Sequence, residues 1–380
     1  MNVLIQLSHP AHFHLYKNVA KNLMDDGHKV FILIKTKDIL EDLLKQSGLP
    51  YYNILKEAHR KSKLGILWDM IVRDWRMIRF VHQNKIDLLT GSTVEVAQVG
   101  WLTGKHRVNT GEDDMNVVPL FPKMAGPFLQ TILSPSVCNN YSLEPRSIKY
   151  ESYHELAYLH PNHFEADKKV VEKYFSADTP YFILRFSSLN AYHDAGVQGI
   201  NTEIAQSLID LLKPHGRIYI TSERELEPQF EPYRIRINTL DMHHVMAFAA
   251  LYIGDSQTMA AEAGVLGIPF VRYNDFVGRI GYLNELENVY HLGFGIKASE
   301  EKASERLLEV VDGLLSTPNL KRNGKLAVRE CFPKKSTMLS SSRGLSKTIL
   351  KAEKPWRITL TINLNSDKYE AIGKVVLNYQ

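Results

Sequence analysis

Apolar residues along this chain follow two rhythms. Short, nearly continuous runs occur at Val3–Leu7, Val30–Ile34, Ile86–Leu89, Tyr181–Phe186, Arg217–Thr221, Leu251–Ile253 and Pro269–Tyr273. Between them lie longer stretches with apolar positions at helical spacing. Runs apolar on both faces suit strands covered on both sides, and helices interleaved with such strands build right-handed βαβ units around a parallel sheet. His12–Asp26 carries Phe13, Val19, Leu23 and Met24 and stops at Gly27, the residue type that ends helices in a left-handed turn. Asp38 is placed to cap a helix through Gln46, which Gly48-Leu49-Pro50 ends. The turn Thr90-Gly91-Ser92 leads into a further helix. The second half predicts helices over Thr202–Leu212, His243–Ala250, Gln257–Leu266 and Ser304–Leu315.

Residues 135–178 lose the alternation and are rich in Asn, Tyr, His and Pro, which marks a boundary. The fold class expected is α/β, with two Rossmann-like domains facing across a cleft. The first unit covers residues 1–160, the second 161–354, and a tail 355–380. In the tail, Ile358, Leu360 and Ile362 alternate with polar residues as in a strand, and a second strand is expected at Gly373–Leu377.

The length of 380 residues suits two cores, and 44% hydrophobic with 23% charged residues describes a globular chain. A net charge of +4 is too mild to imply a nucleic-acid partner, and none is expected. Cys138 and Cys331 have no metal-ligand spacing, so neither a disulfide framework nor a metal site is expected, and a cytoplasmic setting is. The start, Met1-Asn2-Val3-Leu4-Ile5, has the pattern of a buried strand rather than a signal peptide, and no run is long and apolar enough to span a bilayer. Leu64–His82 is different. It interleaves Ile66, Leu67, Trp68, Met70, Ile71, Trp75, Ile78 and Phe80 with Arg73, Arg76 and Arg79. Such a helix suits the core, a homodimer face, or peripheral contact with the inner face of a membrane, which would bring a lipid-linked acceptor within reach. Val117–Leu133, with Leu120-Phe121-Pro122 and Pro127-Phe128-Leu129, is a candidate apolar docking loop.

The segment richest in chemistry is Leu251 to Pro269. It predicts a strand, a polar turn Gly254-Asp255-Ser256, a helix of small residues opened by Gln257-Thr258, and a stop at Gly267-Ile268-Pro269. Asp255 or Ser256 can cap the helix. The remaining first-turn N–H groups and the helix dipole form an anion site, at the sheet edge where doubly wound folds bind ligands. Glu262, two turns along, is placed to accept hydrogen bonds from ribose hydroxyls. A plain cap at Ser256 and a solvated Glu262 are the alternative.

This stretch resembles the phosphate-binding turn of the glycosyltransferase-B (GT-B) superfamily, and that of UDP-N-acetylglucosamine 2-epimerases in particular. In those enzymes an Asp-Ser turn opens a helix, a Glu six residues after the Ser binds ribose, and Leu-Gly-x-Pro follows. The counterparts here are Asp255, Ser256, Glu262 and Leu266-Gly267-Ile268-Pro269. Where the epimerases carry two glycines this chain has Gln257-Thr258, which implies a different approach to the phosphates. The chain is more closely similar to a domain-of-unknown-function family related to those epimerases. That resemblance rests on His9-Pro10-Ala11-His12, Arg185-Phe186-Ser187, Thr221-Ser222-Glu223-Arg224, Gly254 to Thr258, and Phe276-Val277-Gly278-Arg279, and covers roughly Met1 to Leu315. It implies the GT-B fold and a nucleotide sugar, UDP-linked, as substrate rather than cofactor.

Candidate catalytic residues lie in the first unit. His9 and His12 follow the first strand and are candidates for a general base, or simply for capping the helix; His14 completes a trio that lacks the partners of a metal site. Glu112, Asp113 and Asp114 form a carboxylate run that can act as acid and base if burial separates their proton affinities, or can simply be solvated. In the second unit Arg185, Ser187, Ser222, Glu223, Asp255, Ser256, Gln257, Thr258, Glu262 and Arg279 are candidates for the donor, with Arg272 a further cation and His193-Asp194 an acid–base pair. His243-His244 is expected as a cap or surface pair.

Three functions follow. A GT-B glycosyltransferase of surface polysaccharide or glycan synthesis would hold the donor in the second unit and deprotonate an acceptor in the first. A 2-epimerase-like epimerase or hydrolase would break the same bond without an acceptor. A non-catalytic nucleotide- or glycan-binding protein would lack acid–base groups beside the sugar. An NAD enzyme is disfavoured, because no Gly-x-Gly-x-x-Gly follows the first strand.

Overall fold

A computed structural model of the protein describes residues 1–35, 39–55, 63–187, 198–318, 324–328 and 342–351. The expected His193-Asp194 pair, the Asp38 cap, Cys331 and the tail strands lie outside these residues.

The first sheet is built from β1 (Asn2–Leu7), α1 (Pro10–Asp25), β2 (Lys29–Lys35), α2 (Leu40–Ser47), β3 (Tyr51–Leu55), α3 (Lys63–Gln83), β4 (Leu88–Gly91), α4 (Val94–Leu102) and β5 (His106–Thr110). It continues through α5 (Leu120–Met124), β6 (Thr131–Pro135) and β7 (Ser147–Tyr150). Its seven strands run in the order β3-β2-β1-β4-β5-β6-β7, all parallel. β1 is central because Val3, Leu4 and Ile5 are fully buried, as the solid apolar run required.

α6 (Leu156–Leu159) and α7 (Lys168–Glu172) connect to the second sheet. There follow β8 (Tyr181–Phe186), α8 (Thr202–Leu212), β9 (Arg217–Ser222), α9 (Met242–Phe248), β10 (Leu251–Gly254) and α10 (Gln257–Val265). β11 (Phe270–Tyr273), α11 (Gly281–Asn288), β12 (Gly293–Ile296) and α12 (Ala303–Leu315) complete it. Five parallel strands lie in the order β12-β11-β10-β8-β9. The chain therefore has the two Rossmann-like α/β units expected.

In each sheet the strand order reverses once, between β1 and β4 and between β8 and β10. Ligand crevices of doubly wound sheets open at the carboxyl ends of such strand pairs. The loops that emerge there are those of His9 and of Asp255.

Several elements escaped the sequence pattern. Residues 135–178 still contribute β7, the last strand of the first sheet, plus α6 and α7. The expected docking loop Val117–Leu133 divides: Val117, Ala125, Gly126, Leu129, Ile132 and Leu133 are buried, whereas Pro119, Leu120, Lys123 and Pro127 are exposed. α13 (Ser342–Lys351), counted above with the second unit, packs back on α1, with Ser346 Oγ donating to the Val19 carbonyl at 3.4 Å. One continuous apolar cluster runs from Val3, Leu15 and Val19 through Tyr158 and Leu159 to Ala260, Leu283 and Ile349, so the two sheets share a core.

Polar contacts seal the seam. Asp114 is buried, and its carboxylate accepts from Asn139 N at 2.9 Å and from Gly281 N, across the seam, at 2.7 Å. The approach requires glycine, because a Cβ at position 281 would lie 2.2 Å from the Val137 carbonyl oxygen. Tyr153 Oη donates to Glu285 beside it.

Candidate active site

Ser256 caps α10, its Oγ accepting from Met259 N at 3.4 Å, while the N–H groups of Gln257 and Thr258 have no partner among the described residues. They stand at the carboxyl end of β10, where the dipole of the helix favours an anion. Asn274, fully buried, donates to the Asp255 carbonyl and to Gln257 Oε1, both at 2.9 Å, and so fixes the turn. Asp255 is not turned toward a ligand. It is buried and accepts from Ser187 N at 2.6 Å and Ile200 N at 3.3 Å, tying β8 to β10; its burial raises the carboxyl to about 6 against the pull of those bonds.

The flanking candidates divide. Arg185, at the end of β8, donates to Thr221 Oγ1 at 2.9 Å and pairs with Glu223, with its Nε unpartnered. Ser222 closes a turn, donating to the Arg224 carbonyl at 2.7 Å. Arg279 is exposed, its guanidinium 5.4 Å from the Phe276 ring centroid. Arg272 is no donor ligand: it is fully buried and bound by Glu287 at 2.9 and 3.2 Å.

Glu262 is not solvated. It is buried, and its Oε1 accepts from Tyr158 Oη at 2.8 Å and lies 2.9 Å from His243 Nε2. Both contacts fall on one oxygen; Oε2 has none among the described residues. His243, expected as a cap or surface residue, is buried, and the His14 ring meets it edge-on at 4.7 Å. Burial, then the charges of His243, Lys17 and His9, lower His14 well below the usual histidine range, so it sits neutral. α6, which carries Tyr158, packs on both α1 and α10. The carboxylate on α10 is thus held by residues on both sides of the seam.

At the carboxyl edge of the first sheet, His9 caps α1, with Nδ1 accepting from Ala11 N at 3.2 Å. His12 Nδ1 lies 3.4 Å from Ser8 Oγ, and the two imidazoles meet edge-on at 6.0 Å. Beneath them, Tyr16 Oη bonds Thr90 at 2.9 Å and Thr110 at 3.2 Å, and Ser92 Oγ reaches Thr110 Oγ1 at 2.6 Å, forming a fixed polar floor.

Glu112 does not stand free. Its Oε2 is 2.7 Å from Nδ1 of His154, a residue that no sequence pattern singles out. Burial works to raise the Glu112 carboxyl, but the charge and hydrogen bond of His154, with His12 and His9 behind, hold it at about 2. Desolvation, then Glu112 and Asp114, push Asp113 up to about 7. The carboxylate run is therefore split into an ionised group, a group titrating near neutrality, and a structural latch. The imidazole of His154 is buried, stacked on Tyr150 at 6.3 Å, and its Nε2 has no partner among the described residues. A carboxylate on Nδ1 and an unpaired Nε2 make the arrangement that general-base histidines use. Glu155, next in sequence, is buried with Oε2 unpartnered; burial and then the Glu112 charge raise it far above the carboxylate range. Lys17, lowered to about 8 by burial and Lys21, adds a cation near Glu262. Only spatial convergence reveals His154, Glu155 and Lys17.

Residues 1–291 match the family described as protein of unknown function DUF354. The chain belongs to this family. No curated protein matches the DUF354 chain. Among solved structures it is similar to the spinosyn rhamnosyltransferase SpnG complexed with thymidine diphosphate, at 14% identity and a TM-score of 0.61, over 92% of this chain and 99% of that one. It is also similar to the Anabaena protein HepE in complex with UDP-glucose, at 14% identity and a TM-score of 0.61, over 92% and 98%. A third is the Streptomyces sp. SF2575 glycosyltransferase SsfS6 with thymidine diphosphate, at 13% identity and 0.57, over 92% and 99%. At this identity the likeness establishes the GT-B fold.

Proposed function

We propose that this DUF354 protein is a glycosyltransferase that uses a nucleotide-diphosphate sugar. The observation that carries the reading is convergence on the carboxyl edges of the two sheets. The open N–H groups of Gln257 and Thr258 stand at the switch point of the second, with the Oε2 of Glu262 further along the same helix. The His154–Glu112 pair follows β7 and β5 of the first, close enough to His9 and His12 at its switch point for their charges to act on Glu112. The structural neighbours bound to thymidine diphosphate and UDP-glucose support it. In this reading the diphosphate rests on the α10 N-terminus, with Arg185 and Arg279 at its margin, and Glu262 Oε2 accepts from ribose. Departure of the diphosphate is helped by fixed N–H dipoles that need no reorganisation. The acceptor hydroxyl gives its proton to an imidazole of the first unit, either His154, oriented by Glu112, or His9 or His12 above the polar floor. Surface glycan is the acceptor class proposed.

A second reading is favoured by one observation, the split between Glu112 and Asp113. Two neighbouring carboxyl groups, one ionised and one titrating near 7, suit an epimerase or hydrolase that needs an acid and a base but no acceptor. Incubation with a panel of UDP- and TDP-sugars separates the two. Nucleotide release that depends on an added glycan supports transfer. Release or sugar isomerisation without acceptor, with solvent deuterium entering the sugar, supports the second reading. Neither reaction across the panel would contradict both.

A further inference from the structure

The exposed face of α3 takes no part in the site. Along it Trp68, Ile71, Trp75, Arg79 and His82 fall at intervals of three and four residues and form one row. Trp68 is 53% exposed, Ile71 53% and Trp75 58%, although most apolar residues elsewhere on the sheet layers are covered. The opposite face is fully engaged: Met77 and Val81 are buried in a core with Phe31, Leu33 and Val96, and buried Arg73 is paired with Glu95. Neither the fold nor the catalytic geometry needs two half-exposed tryptophans there.

We infer that this row is a docking surface for an anionic membrane. The residue types favour lipid: indoles partition to the headgroup boundary, with an apolar body and a polar edge. The row carries cationic Arg79, its guanidinium 5.9 Å from the Trp75 ring centroid, and no carboxylate. Two carboxyl groups on the same helix, Asp69 and Asp74, flank the row, and burial raises Asp74 to about 6, which weakens its opposing charge. A second copy of the chain fits less well. Three side chains, each showing about half of a ~150–250 Å² surface, offer on the order of 300 Å². A stable protein interface needs ~800 Å² per partner. No helix among the described residues is long and apolar enough to cross a membrane, so contact would be in the plane of the surface.

Placement adds a consequence, which rests on the glycosyltransferase reading. α3 follows β3, so its N-terminal turns, with Trp68, lie toward the carboxyl edge of the first sheet, the edge that carries His9 and Glu112. A bilayer touching this row would bring membrane-held hydroxyl acceptors to the side on which the proposed bases stand.

The test is flotation of the full chain with phosphatidylglycerol-containing vesicles and with pure phosphatidylcholine vesicles, alongside Trp68→Ser/Trp75→Ser and Arg79→Glu variants. Binding to the anionic vesicles that weakens at least about tenfold in either variant, and weakens with salt, supports the surface. Unchanged UDP titration and thermal unfolding in the variants separate this result from misfolding and from any failure of the donor site. Absence of vesicle binding by the parent chain overturns the inference. So does equal binding by parent and variants, or a concentration-dependent dimer that the tryptophan substitutions dissociate.

Discussion

The Glu262 carboxyl has two duties in this structure, and two substitutions separate them. Glu262→Ala removes the oxygen shared by Tyr158 Oη and His243 Nε2, at 2.8 and 2.9 Å, and leaves two buried polar groups without that partner. An orphaned buried group costs about 1–3 kcal/mol, so the pair predicts a stability loss of about 2–6 kcal/mol in urea denaturation. Any loss of ligand binding in that variant is then ambiguous. Glu262→Gln keeps an acceptor oxygen for both partners and replaces Oε2 with a donor. Its stability should fall by less than about 1 kcal/mol, while a ribose that needs an acceptor loses one or two bonds of about 1.5 kcal/mol each. UDP should then bind about ten- to hundredfold more weakly. TDP, which lacks the 2′-hydroxyl, should bind the parent more weakly than UDP and respond less to the substitution. Paired urea denaturation and calorimetric titration read both effects. If Glu262→Gln binds UDP like the parent, the ribose role is wrong; if Glu262→Ala loses no stability, the account of the seam network is wrong.

Three further outcomes follow from other contacts. His154→Asn, compared with His9→Asn and His12→Asn, identifies the base: the one that takes the acceptor proton abolishes turnover when replaced while leaving UDP affinity within about twofold, and a parent-like kcat in all three would remove these imidazoles from the mechanism. Gly281→Ala forces a Cβ to 2.2 Å from a backbone oxygen across the seam, so the melting temperature should drop by several degrees, with loss of ligand affinity following. Lys17 has its folded-state pKa lowered to about 8, so the unfolded chain binds the extra proton between there and the ordinary lysine value, and the parent gains stability as pH rises through that window. Lys17→Met should be the more stable protein at pH 7, with the difference vanishing above that window; a constant difference across pH would contradict the burial of its charge.

Most of the strands the sequence revealed are buried on both faces, with the edge strand β9 the exception. Val3–Leu7, Tyr181–Phe186 and Leu251–Ile253 form solid apolar runs because helices cover both sides. β5, His106-Arg107-Val108-Asn109-Thr110, and β7, Ser147-Ile148-Lys149-Tyr150, carry polar residues: β5 joins the polar floor and β7 is an edge strand, so periodicity had nothing to register. The helix turn at Ser256 was legible because capping and anion binding are local. Partnerships were not. Asp114 is chosen by a backbone amide 167 positions away, and Glu262 by a tyrosine 104 positions away. A carboxylate run on paper is a latch, an ionised orienting group and a near-neutral acid in space, and only packing distinguishes them.

The central claim is that the α10 N-terminus and Glu262 form a nucleoside-diphosphate site. The most direct measurement is calorimetric titration of the purified full chain with UDP, GDP, CDP and TDP without added metal, repeated with Glu262→Gln. The account predicts saturable binding of UDP in preference to the others, weakened in the variant. Absence of binding to all four, with the protein folded, would contradict it.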